Sequence, residues 1–460
     1  MEERGKPLPI ETLPRKELEK IQNRRLRYTL RKAYETTLFW REKFDSLGIK
    51  PDDIKNKEDL YKAWKKGLEI TQIDLITKEK FLSPNYLSEL YYQPLWSSSF
   101  GAPKRVYYTF DDFKRSNEQV HEAINAMGWR KGDKVLSMMA PPPYSSGILS
   151  REAFKEYNIR LQEIMIPIPS IYLANIIGWF NPNHLIGLPQ KLLRIAHEFE
   201  ENGISPAIFR ITTIGISGES SSKEMKKKLN EIWDAEIFDV WGTTEASTLG
   251  FECKSHDGMH ITEPRILIDV CNPETKEILC EGEEGNDLIT ILYQEGEKPG
   301  IFLINYSLGD ITSIISREKC ECGRTLIKLD YPKREDETIN IDGRKIWGKS
   351  IEKVILSSPD LTGEYFIIEY RDKLTKQILR YDIKLQMQKN KEPQKIKELY
   401  DAILHSLIES NPPAYENLLE WYNTNKLNIE VLPFETYENL SRQELPPGKP
   451  RRMFRIEKSS

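Results

Sequence analysis

The chain has 460 residues, 39% hydrophobic and 30% charged, and its 67 Lys and Arg against 71 Asp and Glu leave a formal charge of −4. That balance offers no basic excess for gripping a phosphate backbone, which argues against nucleic acid as a main partner. No run of about 18 apolar residues exists to span a membrane, so no membrane partner is expected, and the length predicts two or three domains. Met1 to Lys6 lack the apolar stretch of a secretory signal. The five cysteines, an odd and small number for this length, argue against a disulfide framework. A cytoplasmic location is expected. All five thiols (Cys253, Cys271, Cys280, Cys320, Cys322) fall in one stretch of the chain.

Residues 11–47 read as helical, with Leu26, Leu30 and Ala33 on one face and Arg and Lys on the other. A short strand is expected at 91–95, then a polar loop, a strand at 105–109, a helix at 112–127 stopped by Gly128, and a strand at 134–139. Strands at 164–167, 185–188 and 211–216, with a helix at 189–201, continue the alternation of an α/β layer. From about 250 to 330 short strands and turns predict a β-rich subdomain. The remainder reads as a small α+β unit: strands at 338–341, 365–370, 381–386 and 428–432, helices at 350–356 and 394–409. A Pro446-Pro447-Gly448 turn then sets off a basic tail.

Four segments carry candidate chemistry. Ser97-Ser98-Ser99-Phe100-Gly101-Ala102-Pro103 lies between two strands, where hydroxyls and amides can cradle a polyphosphate; the same residues also read as an ordinary polar turn. Asp239-Val240-Trp241-Gly242-Thr243-Thr244-Glu245 combines a ring able to stack on a base, a hydroxyl for a phosphate and a carboxylate for magnesium. Thr243 or Thr244 before Glu245 equally suits a helix N-cap. In Asn305-Tyr306-Ser307-Leu308-Gly309-Asp310 a carboxylate after a glycine turn can accept ribose hydroxyls, and Pro447-Gly448-Lys449 supplies a cation near the C-terminus.

In this order, together with residues 33–44, 185–193 and Gly215-Ile216-Ser217-Gly218-Glu219, the sequence resembles the phenylacetate-CoA ligase branch of the adenylate-forming acyl-CoA synthetase superfamily. The resemblance implies a large multi-subdomain α/β domain over 1–333 and a mobile α+β lid over 334–460, hinged near Asp336. It implies that Ser97, Ser98, Ser99 and Gly101 form a phosphate loop and that Ser217, Gly218 and Glu219 lie against the adenine. Trp241, Gly242 and Thr243 then flank the base, Thr244 meets the α-phosphate, and Glu245 binds Mg2+. Asp310 and Arg334 hold the ribose, Lys449 reaches the reacting phosphate, and the loop at Gly343 lines the thiol's entry. Catalysis would rest on Lys449, Thr244 and Glu245. The implied activity is ATP-dependent adenylation of an aryl or arylacetic carboxylic acid, followed by thioester formation with coenzyme A. Adenylyl transfer to another acceptor, as in a deazaflavin-adenylating branch, and a non-catalytic nucleotide-binding homologue are the alternatives, and a homodimer is one assembly allowed. Ser98 stands where the family has Gly and Ala102 where it has Lys, which predicts a looser hold on pyrophosphate. Asn305, Ser307-Leu308 and Lys333 also depart from the pattern, and residues 140–180 match poorly.

Cys320-Glu321-Cys322-Gly323 is a close thiol pair, and Cys253 with His260 lies about 60 residues upstream. Three thiolates and an imidazole complete a tetrahedral structural zinc site, a pattern the resembled family shares. His256 is an alternative to His260, and reduced free thiols are the alternative to a metal. Cys271 and Cys280 are left as bystanders.

Overall fold

The computed structural model describes residues 5–77, 90–92, 104, 106–139, 144–164, 168–391, 395–444 and 453–458, with the backbone only at 77, 90–92, 336 and 442–444. The chain divides into two compact units. The first comprises 1–188, 211–220 and 236–333; the second comprises 189–210, 221–235 and 334–460.

The first unit is organised by a nine-stranded sheet among the described residues. Its order is Ile314–Ser316, Lys328–Leu329, Met259–Ile261, Ser247–Glu252, Glu236–Thr243, Thr213–Ser217, His184–Gly187, Lys134–Met138 and Arg160–Glu163. The five strands from Glu236–Thr243 to Arg160–Glu163 run parallel, and the other four pair antiparallel. The central parallel strands are apolar runs because both faces are covered: Leu136, Leu185, Ile214 and Phe238 are fully buried, each side chain contributing roughly 1.5–3 kcal/mol. The edge strand Arg160–Glu163 pairs on one side only and stays partly exposed. This edge position allows a strand four residues before the apolar 164–167 segment where one was expected; 165–167 lie outside the described residues. A second sheet orders Glu277–Ile278, Ile266–Asn272, Gly285–Ile291, Asp310–Thr312 and Lys333–Arg334.

The expected N-terminal helix is two helices, Arg15–Thr36 and Leu38–Ser46. Thr37 takes an extended backbone and its hydroxyl accepts from the Trp40 amide at 3.4 Å, so a new helix starts where the first ends. Helix Phe110–Ala126 opens with a reciprocal cap, the Thr109 and Asp112 side chains each accepting from the other's backbone amide.

The second unit holds a sheet ordered Leu427–Leu432, Ile378–Met387, Leu361–Asp372 and Met453–Lys458. Ile367, Ile383 and Leu385 of its strands pack in one core with Ile403 and Leu407 of helix Ile396–Ser410 and Leu418 of helix Tyr415–Asn423. Met453–Lys458, expected as part of a basic tail, is instead a strand in parallel register with Ile367 to Asp372. Its charges are neutralised there, with Arg455 on Glu369 at 2.9 Å and Lys376 on Glu457 at 2.6 Å.

Candidate active site and metal centre

In the first unit, strands Thr213–Ser217 and Glu236–Thr243 run side by side, with Ser217 in register with Val240 and its hydroxyl donating to the Val240 carbonyl at 2.7 Å. Gly218 and Trp241 therefore lie just past the carboxyl end of this parallel pairing, the edge at which open α/β sheets bind ligands, although Trp241 is still within its own strand. Gly218 has φ +92, a conformation strained for any residue with a side chain. The strand runs on through Thr243, turns, and returns as Ser247–Glu252, so Thr243 and Thr244 form a hairpin and not a helix cap. Gly242 is required at the crossing: a Cβ there would meet the Ser247 carbonyl oxygen at 2.7 Å.

This hairpin faces the turn that carries Asp310. The Trp241 indole donates to Asp310 Oδ2 at 2.9 Å, which ties the aromatic plane to the carboxylate. Buried Asp287 fixes the turn, accepting from the amides of Leu308 and Asp310, each at 3.0 Å. Gly309 between them takes φ +80. Thr244 is held by Ser145, whose hydroxyl donates to Thr244 Oγ1 at 3.1 Å, and by Tyr108, which donates to its carbonyl at 2.7 Å.

Glu245 is buried beside this turn. Lys104 reaches its Oε1 at 2.7 Å and the Tyr306 hydroxyl donates to the same oxygen at 2.8 Å. Burial raises the Glu245 carboxyl, but the Lys104 charge and these hydrogen bonds outweigh it and leave the group below its ordinary value. Oε2 is buried and has no hydrogen-bond partner among the described residues, an oxygen available to a cation.

The structure thus brings Ser217, Gly218, Trp241, Gly242, Thr243, Thr244, Glu245 and Asp310 into one unit; Glu219 follows Gly218 there. Ser97, Ser98, Ser99, Gly101 and Lys449 lie outside the described residues. Arg334 and Asp336 open the second unit, Arg334 in strand Lys333–Arg334 and Asp336 in a 3-10 turn over Glu335–Glu337. Sequence reasoning missed Lys104, Tyr306 and Asp287. Lys104, directly after the expected phosphate loop, and Tyr306, inside the Asn305–Asp310 segment, carried a signal by position, and Asp287 carried none.

At the antiparallel end of the large sheet, the register that pairs His260 with Phe251 and Lys328 assembles the second cluster. One donor atom each from Cys253, His260, Cys320 and Cys322 lies within 4.8 Å of the others. Cys253 Sγ is 4.0 Å from Cys320 Sγ, and Cys322 Sγ is 3.4 Å from His260 Nε2. With metal–sulfur bonds of about 2.3 Å and metal–nitrogen bonds of about 2.0 Å, this set fits a tetrahedral ion such as zinc. His260 Nδ1 faces the Leu326 carbonyl at 3.3 Å, leaving Nε2 for the ion. The Cys320–Arg324 loop closes on itself through Gly323 N to Cys320 O and Cys320 N to Arg324 O, both 2.9 Å. Hydrogen bonding with Cys253, and then with His260, holds the Cys322 thiol far below its ordinary value, the thiolate form a metal takes.

His256 is not a donor of this cluster. Its Nε2 meets Glu236 at 3.0 Å and its Nδ1 lies 3.7 Å from Glu252, and these two carboxylates, Glu236 foremost, raise its pKa to about 9 from 6.5. A raised folded-state value means the stabilisation is full below pH 6.5 and disappears as pH rises through about 9. Unfolding followed across that window should therefore decline more steeply in the parent protein than in His256→Gln; parallel curves would refute the assignment.

The Cys320–Arg324 loop also anchors the N-terminal segment. Fully buried Arg324 pairs with fully buried Glu11 at 3.1 Å and donates to Cys322 Sγ at 3.7 Å. Next to it, the Thr325 amide donates to the Glu11 carbonyl at 2.9 Å and its hydroxyl to the Leu13 carbonyl at 2.6 Å.

No family model matches the chain. It is 27% identical over 379 residues to a phenylacetate-coenzyme A ligase of Thermus thermophilus, covering 79% of this chain and 80% of that protein. It is 26% identical to the phenylacetate-coenzyme A ligase of Escherichia coli, covering 78% and 80% respectively. The fold superposes on a 2-hydroxyisobutyryl-CoA ligase in its postadenylation state, in complex with R3-HIB-AMP, with a TM-score of 0.80 at 19% identity over 97% of this chain and 91% of that one. No helix among the described residues is long and apolar enough to cross a membrane. The chain is thus similar in sequence to phenylacetate-coenzyme A ligases and shares its fold with a 2-hydroxyisobutyryl-CoA ligase.

Proposed function

We propose that this protein is an AMP-forming acid–coenzyme A ligase that adenylates an aryl or arylacetic carboxylate with ATP and then forms its coenzyme A thioester. The observation that carries the reading is the Trp241–Asp310 hydrogen bond at 2.9 Å, which pairs a ring suited to a base with a carboxylate suited to ribose hydroxyls. Thr244 and Glu245, three and four residues beyond Trp241, are then placed for the phosphates. In the first half-reaction the substrate carboxylate oxygen forms a bond to the α-phosphorus and the bond to pyrophosphate breaks. The Thr244 hydroxyl and the Lys449 ammonium meet the charge that develops on the phosphoryl oxygens. Magnesium held at Glu245 would supply further charge neutralisation at the phosphates. In the second half-reaction the thiol of coenzyme A attacks the acyl carbon, loses its proton and expels AMP. We assign the segment from Arg334 onward, turning near Asp336, to the motion between these steps.

Cys253, His260, Cys320 and Cys322 are proposed to hold a structural zinc ion; four protein donors leave no open position, so it takes no part in the chemistry. Five unpaired thiols suit a reducing cytoplasmic setting.

The test is ATP–pyrophosphate exchange with a panel of aromatic and arylacetic acids, with and without coenzyme A. Acid-dependent exchange together with thioester formation is the expected result. Exchange that ends in adenylyl transfer to another acceptor, without thioester, would replace the second half of the proposal. ATP binding without exchange for any acid would overturn it.

A further inference from the structure

We infer that Tyr306 and Lys104 are positioning residues for Glu245, holding Oε1 of its carboxylate so that Oε2 alone is presented to a divalent cation. The inference rests on the proposed reading of the site as a magnesium-dependent adenylation centre.

The geometry is a closed triangle. Oε1 receives the Lys104 ammonium at 2.7 Å and the Tyr306 hydroxyl at 2.8 Å, and Lys104 Nζ lies 3.3 Å from that hydroxyl. Glu245 is 3% exposed, Lys104 4% and Tyr306 0%. A carboxylate gripped at one oxygen by two donors cannot exchange its oxygens by rotation without breaking both bonds. Oε2, buried and without a hydrogen-bond partner among the described residues, is thereby fixed in direction. Leaving such an oxygen unsatisfied is costly. A hard cation, which takes carboxylate oxygen, removes that cost.

The grip is set by the fold. The Tyr306 backbone is held to Ile289 by a reciprocal pair of hydrogen bonds, N to O in both directions at 2.8 Å, and its side chain is fully buried, which limits the hydroxyl's movement away from Glu245. Tyr306 is also four residues ahead of Asp310, so one short segment carries both the proposed ribose acceptor and the brace of the proposed metal ligand. Removing a group that orients a metal ligand commonly costs 10–100-fold in metal affinity.

Mn2+ is the probe, titrated into the full chain with a non-hydrolysable ATP analogue and followed by the loss of the free-ion electron paramagnetic resonance signal. Tyr306→Phe, which keeps the ring, should weaken Mn2+ binding about tenfold while AMP affinity in chelator stays within about twofold of the parent. Glu245→Gln should weaken Mn2+ at least as much, and adding Tyr306→Phe to it should cost nothing more. Unchanged Mn2+ affinity in Tyr306→Phe, or an undiminished loss in the Glu245→Gln background, would overturn the inference alone. A parent protein that binds AMP but no Mn2+ would overturn the metal reading of the site, and this inference with it.

Discussion

If the four donors hold zinc as proposed, Cys322→Ser will fall from about one equivalent of zinc to near none and will unfold at markedly lower temperature than the parent protein. The expected size follows from linkage. An ion present at roughly a thousand times its dissociation constant stabilises the folded state by about 4 kcal/mol, which is roughly 10 °C in the midpoint of the unit that holds it. The loss should not stay local. Cys322 accepts from Arg324, Arg324 pairs with Glu11, and Thr325 holds the carbonyls of Glu11 and Leu13. Once the loop loosens, Arg324 and Glu11 are buried charges without a fixed partner, a state that costs several kcal/mol when one member of a buried pair is lost. Trypsin should then cut at Arg15 and Lys16 in the variant, or in chelated parent protein, well before it cuts the untreated parent. Cys271→Ser, in a strand away from the cluster, is the control and should behave as the parent. Full-strength folding of Cys322→Ser with no zinc in either protein would refute the metal assignment.

The contrast between the two histidines shows what the sequence could and could not reveal here. Both lie within a few residues of Cys253, and nothing local separates them as ligands. The distinction comes from pairing: His260 lies in strand Met259–Ile261, in register with Lys328 and so beside the Cys320 loop, while His256 sits in the preceding turn at φ +47 and faces Glu236. The active-site segments were easier to recognise. Trp241, Thr244 and Glu245 are contiguous, and Asp310 follows a glycine turn, so their chemistry is written in short stretches. Their supports are not. Lys104 meets Glu245 across 141 residues of chain and Tyr306 meets it across 61, contacts that only the folded topology creates. The same applies to the edge strands. Arg160–Glu163 is polar, and Met453–Lys458 looks like a charged tail until its parallel partner Leu361–Asp372 is in view. Apolar periodicity finds strands covered on both faces; a strand at a sheet margin owes its existence to a neighbour.

Lys449→Ala should depress adenylation by about 100- to 1000-fold, the usual cost of deleting one preorganised charge or donor from a transition state, yet leave thioester formation from supplied acyl-adenylate within a fewfold of the parent. The asymmetry follows from where charge develops. In the first half-reaction negative charge accumulates on the α-phosphoryl and pyrophosphate oxygens, and a lysine ammonium placed there acts only while that bond order is changing. In the second, the thiol attacks the acyl carbon, loses its proton and breaks the bond between that carbon and the AMP oxygen, so new charge develops on the acyl and departing AMP oxygens; pyrophosphate has already gone, and a cation reserved for the bond between the α-phosphorus and pyrophosphate has no role there. Two readouts therefore separate a catalytic lysine from a structural one: pyrophosphate exchange, and coenzyme A consumption from synthetic acyl-adenylate. Lys449→Arg, which keeps charge but changes shape and reach, should recover part of the exchange rate and none of the geometry-dependent remainder. If Lys449→Ala slowed both half-reactions equally, the residue would be holding the fold of the segment after Arg334, and the charge that drives adenylation would have to come from Thr244, Glu245 and the cation it binds.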